Sequence, residues 1–247
     1  MKKAEILLSF LLAFGVFNNG VISATESENY DVDQVQEEIN RIEENYVKSL
    51  GLETSDDLSK SQLNNLIKIV NDYKTEVYGI ANHSEKIETF GYPGYWSYYT
   101  GDLFLTLDAS TEIIGDITWN HGHAGIGGWD SGSVIEANPD DGVEYYYNRY
   151  WYWNGRDDGG IYKVKDAVND DYFTATTYAE DQVGGAYGFN ALDPNDFYCS
   201  ELVYYAWKEA GYDLDHNRLG GTFILPKHLM LDAETELLVS FPADITE

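Results

Sequence analysis

The stretch Tyr198-Cys199-Ser200-Glu201-Leu202-Val203 carries the only cysteine of this 247-residue chain and opens a predicted helix, for which Asp196 is the expected N-cap. The first turn of a helix has unpaired amides and a partial positive charge, which favour a thiolate and can receive an oxyanion. Cys199 also lies on the apolar stripe of the helix, three and four residues before Leu202 and Val203. By this pattern alone, it is either a nucleophile or a small buried apolar side chain.

A thiolate in so acidic a chain needs a nearby histidine, and the stretch Asn120-His121-Gly122-His123-Ala124-Gly125-Ile126 offers one. His123 begins a short strand between glycines, where an imidazole can be aimed and a substrate backbone can approach. His121 and His123 share a face if the segment is extended, so a metal pair is the alternative. No third ligand stands at a diagnostic spacing, and we predict neither a metal nor a cofactor.

One acid interrupts the strand-like stretch Val134-Ile135-Glu136-Ala137. If its apolar neighbours point inward, Glu136 faces the opposite side of the strand. There it either accepts the second imidazole N–H and fixes the tautomer, or it faces solvent. The pattern leaves both open.

Four motifs stand in an order that resembles a known family. They are Gly101-Asp102-Leu103-Phe104, His123-Ala124-Gly125-Ile126, Val134-Ile135-Glu136-Ala137 and Tyr198-Cys199-Ser200-Glu201-Leu202-Val203. Over about residues 95–235 the chain is similar to the circularly permuted branch of the NlpC-type papain-like cysteine amidases. In this branch the histidine precedes the cysteine, whereas the usual order of the superfamily is the reverse.

The resemblance implies an α+β fold, a permuted papain-like domain with a central antiparallel sheet and packed helices. It implies that Cys199 is the nucleophile, His123 the general base and acid, and Glu136 the residue that orients the imidazole. Tyr187 and Tyr198 become candidates for lining the substrate site or holding the oxyanion. The implied partner is a peptide or acyl-amide substrate.

The implied activity is a cysteine hydrolase that cleaves the amide bond of a cell-wall peptide or a short peptide through a thioacyl-enzyme. Two alternatives stay open: a lipid acyl hydrolase or acyltransferase of the same fold, of the lecithin–retinol type, and a non-catalytic binding protein that kept the fold. The 43 acidic and 15 basic residues give a net charge of -28, which argues against nucleic acid and anionic membranes as partners. The same charge would repel anionic wall polymers.

The beginning of the chain is typical of a signal peptide. Lys2 and Lys3 precede the apolar run 6–14, and the small residues Ser23 and Ala24 follow. We therefore expect residues 1–24 to be removed and the mature protein to be secreted or extracytoplasmic, without an integral membrane segment. The alternative is an uncleaved N-terminal anchor.

Between this segment and the four motifs of the family resemblance, residues 25–88 are predicted to form an acidic linker and a helical hairpin. Apolar residues recur at helical spacing in 35–50 and again in 63–77. The hairpin is expected to be a docking arm, a self-association element or a cap over the following domain. Residues 89–247 are then the hydrolase domain, with short strands near 103–107, 124–126, 133–137, 160–164 and 237–241.

Overall fold

The protein is described by a computed structural model. The residues it describes are 31–78, 100–108, 111–114, 117–119, 122–130, 132–147, 155–156, 158–189, 196–215 and 223–241. The predicted signal peptide, the expected domain boundary at residue 88 and His121 lie outside these residues. In the described part of the chain, no helix has both the length and the apolar composition needed to cross a membrane.

The described helices are α1 (Val32–Ser49), α2 (Lys60–Tyr78), α3 (Asn169–Asp181), α4 (Cys199–Glu209) and α5 (Pro226–Leu231). The strands are β1 (Leu103–Thr106), β2 (Thr111–Ile114), β3 (Ile117–Trp119), β4 (His123–Gly127), β5 (Ser133–Asn138), β6 (Gly142–Tyr147), β7 (Gly159–Val164), β8 (Ala186–Tyr187), β9 (Asp196–Phe197) and β10 (Thr235–Phe241). A short 3₁₀ turn at Ser55–Asp57 joins α1 and α2.

Six of these strands form one sheet in the order β10-β7-β1-β4-β5-β6, and every neighbouring pair in it is antiparallel. Helix α4 packs against β4 and β5, and α3 packs against α4. The helix-facing side holds the main core, to which Leu103, Ile126, Leu202 and Trp207 belong. This arrangement confirms the predicted α+β fold with a central antiparallel sheet and packed helices.

The N-terminal helical hairpin packs on this domain. Its apolar stripes are buried at Val35, Ile39, Leu66 and Val70, which share the main core with the residues of the sheet. Helix α2 contacts both α5 and β10. The apolar faces of the hairpin are therefore covered within the chain, and self-association through the hairpin stays a prediction.

One local prediction was wrong. Asp196 does not cap the cysteine helix, because it belongs to β9 and pairs with Ala186 of β8 in a short parallel ladder. The N-cap of α4 is Tyr198, whose backbone is extended, and the helix begins at Cys199 itself. Strand β6 ends in three consecutive tyrosines, Tyr145 to Tyr147, and this second half of the strand is partly exposed.

Candidate active site

Cys199 is the first residue of helix α4 and is only 2% exposed. The helix starts here because Tyr198 takes an extended conformation, and its carbonyl accepts the first intrahelical hydrogen bond, from Leu202. The stripe of Leu202, Val203 and Trp207 buries the helix against the sheet. The thiol therefore lies at the positive end of a rigid, buried helix, where the first-turn amides have no intrahelical acceptor.

His123 is the first residue of β4, and it is 6% exposed. Gly122 before it has a φ of +81°, and a Cβ at this position would overlap the carbonyl oxygen of Thr106. A glycine is thus required for β4 to start beside the end of β1. The imidazole forms a hydrogen bond with the thiol of Cys199. The first residue of β4 therefore contacts the first residue of α4.

Glu136 lies on β5, next to β4, and has no exposed surface. Ile126 pairs with Ile135, and side chains alternate along each strand, so His123 and Glu136 lie on the same face of the sheet. Nε2 of His123 lies 2.8 Å from Oε2 of Glu136. Since Nε2 faces the carboxylate, Nδ1 is the ring nitrogen left for the thiol. The structure thus brings the three predicted residues together and excludes solvent as the surroundings of Glu136.

The contacts of this trio shift the pKa values of the thiol and the imidazole in opposite directions. Burial favours a neutral thiol, but the hydrogen bond and charge of His123, together with the backbone amides of Ala124 and Ser200, lower the pKa of Cys199. Burial also disfavours the imidazolium, but hydrogen bonds to Cys199 and Glu136 raise the pKa of His123 well above its usual value. The geometry therefore favours a thiolate–imidazolium pair.

A residue that the sequence analysis did not identify, Asn138, lies next to this trio. Its side-chain amide donates to Oε2 of Glu136 at 3.2 Å, the oxygen that also faces His123. Tyr146 on β6 forms a hydrogen bond with Asn138, and its hydroxyl donates to Asp141 at 3.1 Å. The two-residue spacing from Glu136 to Asn138 on one strand places both on one face, which is the signal that could have identified it.

The two predicted tyrosines belong to a group of aromatic rings in contact with one another. The hydroxyl of Tyr198 is buried and accepts a hydrogen bond from the backbone N–H of Ile224 at 2.8 Å. Its ring stacks on Phe189 with a centroid distance of 5.1 Å, and Phe189 meets the edge of Tyr187 at 5.5 Å. Phe223 contacts both Phe189 and Tyr198 and is 36% exposed. The role of either tyrosine toward substrate or oxyanion stays a prediction.

The described residues contain no group of three or more His, Cys, Asp or Glu side chains that could hold a metal ion. His228, on α5, is partly buried. Its Nδ1 accepts a hydrogen bond from the backbone N–H of Leu225 and lies 3.5 Å from Oδ1 of Asp215.

Comparison with known proteins agrees with this geometry. Residues 97–243 match the family described as permuted papain-like amidase enzymes, YaeF/YiiX, C92 family. No curated protein and no solved structure matches the chain significantly. The match covers more than half of the chain and includes all three residues of the buried trio. The chain therefore belongs to the C92 family of permuted papain-like amidases, which are cysteine hydrolases of the amide bond.

Proposed function

We propose that the protein hydrolyses an amide bond of a short peptide outside the cytoplasm, with Cys199, His123 and Glu136 as its catalytic triad. The observation that carries this proposal is the imidazole of His123, which is hydrogen-bonded to the thiol on one side and lies 2.8 Å from a fully buried carboxylate on the other. A buried carboxylate is retained at such a position when it has a charged or donating partner.

In the first half of the reaction, His123 takes the proton of the Cys199 thiol and the sulfur attacks the carbonyl carbon. The backbone N–H of Cys199 at the helix N-terminus stabilises the oxyanion of the tetrahedral intermediate. When the C–N bond breaks, His123 gives its proton to the leaving nitrogen. The products of this half are a free amine and a thioester on Cys199.

In the second half, His123 takes a proton from water, and the hydroxide attacks the thioester carbonyl. Breaking the C–S bond releases a carboxylic acid and returns the proton to the sulfur or leaves the thiolate–imidazolium pair. Glu136 stays ionised throughout, holds the tautomer with Nε2 protonated and stabilises the imidazolium. These steps use only the three side chains, a backbone amide and water.

Two sequence features support the choice of substrate and compartment. The net charge of -28 repels anionic wall polymers, so a short peptide fits better than an intact wall. The basic and apolar composition of residues 1–24 supports export. Fusion of residues 1–30 to a reporter that is active only outside the cytoplasm tests the export, and an inactive reporter would contradict it.

The central experiment offers the protein a library of short peptides and detects amide hydrolysis by mass spectrometry. Wild-type protein should release amine products, and Cys199→Ala should lower turnover by at least about 10³-fold while circular dichroism shows an intact fold. Hydroxylamine should react with the thioester on Cys199 and release a hydroxamate. This product should form with the wild-type protein and not with Cys199→Ala. Equal turnover in Cys199→Ala would end the proposal.

A second candidate function, acyl transfer or hydrolysis on lipids, is favoured by one specific observation. Phe189, Tyr198 and Phe223 form an apolar group directly before the helix that carries Cys199, and Phe223 is more than one third exposed. Aromatic rings of this kind bind an acyl chain as well as an apolar peptide side chain. Parallel assays with short-chain acyl esters and with peptides of matched hydrophobicity separate the two substrates.

A further inference from the structure

The hairpin contacts the catalytic domain through a lysine that is almost completely buried. Lys74 of α2 is 2% exposed, and its Nζ donates to the carbonyl oxygens of Met230 at 2.9 Å, Asp232 at 2.5 Å and Thr235 at 2.9 Å. The hydroxyl of Thr235 lies 3.2 Å away. These carbonyls belong to the end of α5 and the turn into β10, where a helix presents its partial negative charge.

Two further side chains of the hairpin bind the same turn. The side-chain oxygen of Gln36, on α1, accepts a hydrogen bond from the backbone N–H of Ala233 at 2.8 Å. The hydroxyl of Tyr78, on α2, donates to the carbonyl oxygen of Ala233 at 2.8 Å. Both helices of the hairpin therefore contribute to holding the turn at residues 230–235.

The segment just before α5 contacts the residues on either side of the candidate nucleophile. The backbone N–H of Ile224 donates to the Tyr198 hydroxyl, and its carbonyl accepts from the Ser200 hydroxyl, both at 2.8 Å. Tyr198 and Ser200 flank Cys199. At the start of α5, Pro226 packs against Gly122, since a Cβ added at Gly122 would lie 3.3 Å from the Pro226 ring.

We propose that Lys74 is a positioning residue of the catalytic site, which acts through α5 to keep Cys199 and His123 in hydrogen-bonding distance. Lys74 holds the C-terminal end of α5, the segment before α5 binds the side-chain hydroxyls on both sides of Cys199, and Pro226 lies beside Gly122, which precedes His123. This inference rests on the proposed triad. It assigns to the hairpin a role in the chemistry in addition to its role in stability.

The energetic cost of this lysine supports the assignment. Burial lowers the pKa of Lys74 to about 7, while the charges of Asp232 and Glu236 act in the opposite direction. A methionine of similar length at this position would avoid the cost of burying an ammonium group. In exchange for this desolvation energy, the lysine makes directional hydrogen bonds to three carbonyl oxygens. An apolar side chain cannot make these bonds.

The test is the pH dependence of iodoacetamide labelling in the full chain, in which Cys199 is the one thiol. Lys74→Met removes the donors, and Lys68→Met is the matched control, since Lys68 lies on the same helix with its side chain 72% exposed. We expect Lys74→Met to raise the thiol pKa by about one unit and to slow labelling at neutral pH about tenfold, at a temperature where the variant is folded. Lys68→Met should label as wild type does.

A folded Lys74→Met with the wild-type thiol pKa would overturn the inference. Should that variant not fold, Lys74→Gln decides, because its shorter side chain keeps a polar donor but cannot reach all three carbonyl oxygens. A raised thiol pKa in Lys74→Gln supports the inference, and an unchanged one overturns it. An ordinary thiol pKa in the wild type would instead contradict the proposed triad, so the two failures are distinguishable.

Discussion

Nε2 of His123 lies 2.8 Å from Oε2 of Glu136, a carboxylate with no exposed surface. The pair is formed by side chains from adjacent antiparallel strands that share one face of the sheet. The side-chain amide of Asn138, on the same strand as Glu136, donates to the same carboxylate oxygen. The imidazole orientation is therefore set by the sheet.

The charge of Glu136 can be removed without changing its shape. We expect Glu136→Gln to lower amide turnover by about 10²-fold or more, because the glutamine amide can donate to Nε2 and favours the wrong imidazole tautomer. The thiol pKa should rise toward its usual value of about 8.5. Steady-state kinetics and iodoacetamide labelling measure both effects. Glu209→Gln, at an exposed glutamate at the end of α4, is the control and should behave as wild type.

The pH profile of the wild-type enzyme follows from the directions of the two pKa shifts. The pKa of Cys199 is lowered by His123 and backbone amides against the effect of burial, so the thiolate should form below the usual thiol range. The pKa of His123 is raised by its hydrogen bonds against the effect of burial, so the imidazolium should persist above the usual range of histidine.

We therefore expect kcat/KM to rise with pH through the lowered thiol pKa, stay level, and fall as the imidazolium loses its proton at higher pH. Both apparent pKa values belong to the coupled pair. In His123→Ala, the labelling rate should follow a single thiol titration near or above the usual value. A wild-type profile that rises only above pH 8.5 would contradict the expected ion pair.

Asn138 should tune the triad without being essential to it. We expect Asn138→Ala to reduce kcat about three- to tenfold with little change in KM, because Glu136 loses one of the donors to its Oε2 and its carboxylate is held less firmly. Asp140→Asn, in the exposed turn that follows, is the control. A drop as large as that of Glu136→Gln would mean that Asn138 does more than position the carboxylate.

Leu66 tests whether the hairpin and the sheet unfold together. It is fully buried in the core shared by α2 and the sheet, so Leu66→Ala should lower the free energy of unfolding by about 3 kcal/mol. Urea denaturation followed by tryptophan fluorescence and by far-ultraviolet circular dichroism should show one coincident transition. Two separate transitions would show that the hairpin is an independent unit.

Much of the sheet could be predicted from local patterns, whereas the roles of Cys199, His123 and Glu136 were implied only by the family resemblance. Short apolar runs identified most of β1, β5 and β7, and the apolar stripe after Cys199 identified α4. The position of Glu136 relative to the imidazole could not be predicted from its own strand. That position depends on the register in which β4 pairs with β5, and the residues of β5 alone do not fix this register.

Lys74 shows a different limit of local patterns. It follows Val70 by four residues and so lies on the apolar stripe of α2, where a lysine ordinarily extends its stem to reach water. Its acceptors are more than 150 residues away along the chain. Asp196 failed as the predicted cap for a related reason, because its pairing with Ala186 takes precedence over a local capping preference.

The contacts of Lys74 also order events during synthesis. A ribosome-bound chain that stops before residue 230 contains the complete histidine strand and the complete cysteine helix but none of the carbonyls that Lys74 binds. The hydrogen bond of Gln36 likewise cannot form until Ala233 has been synthesised, 197 positions later. Such long loops close slowly, because their entropy is lost before any contact compensates for it. On the proposed role of Lys74, the nascent protein is expected to stay inactive until residue 235 has emerged.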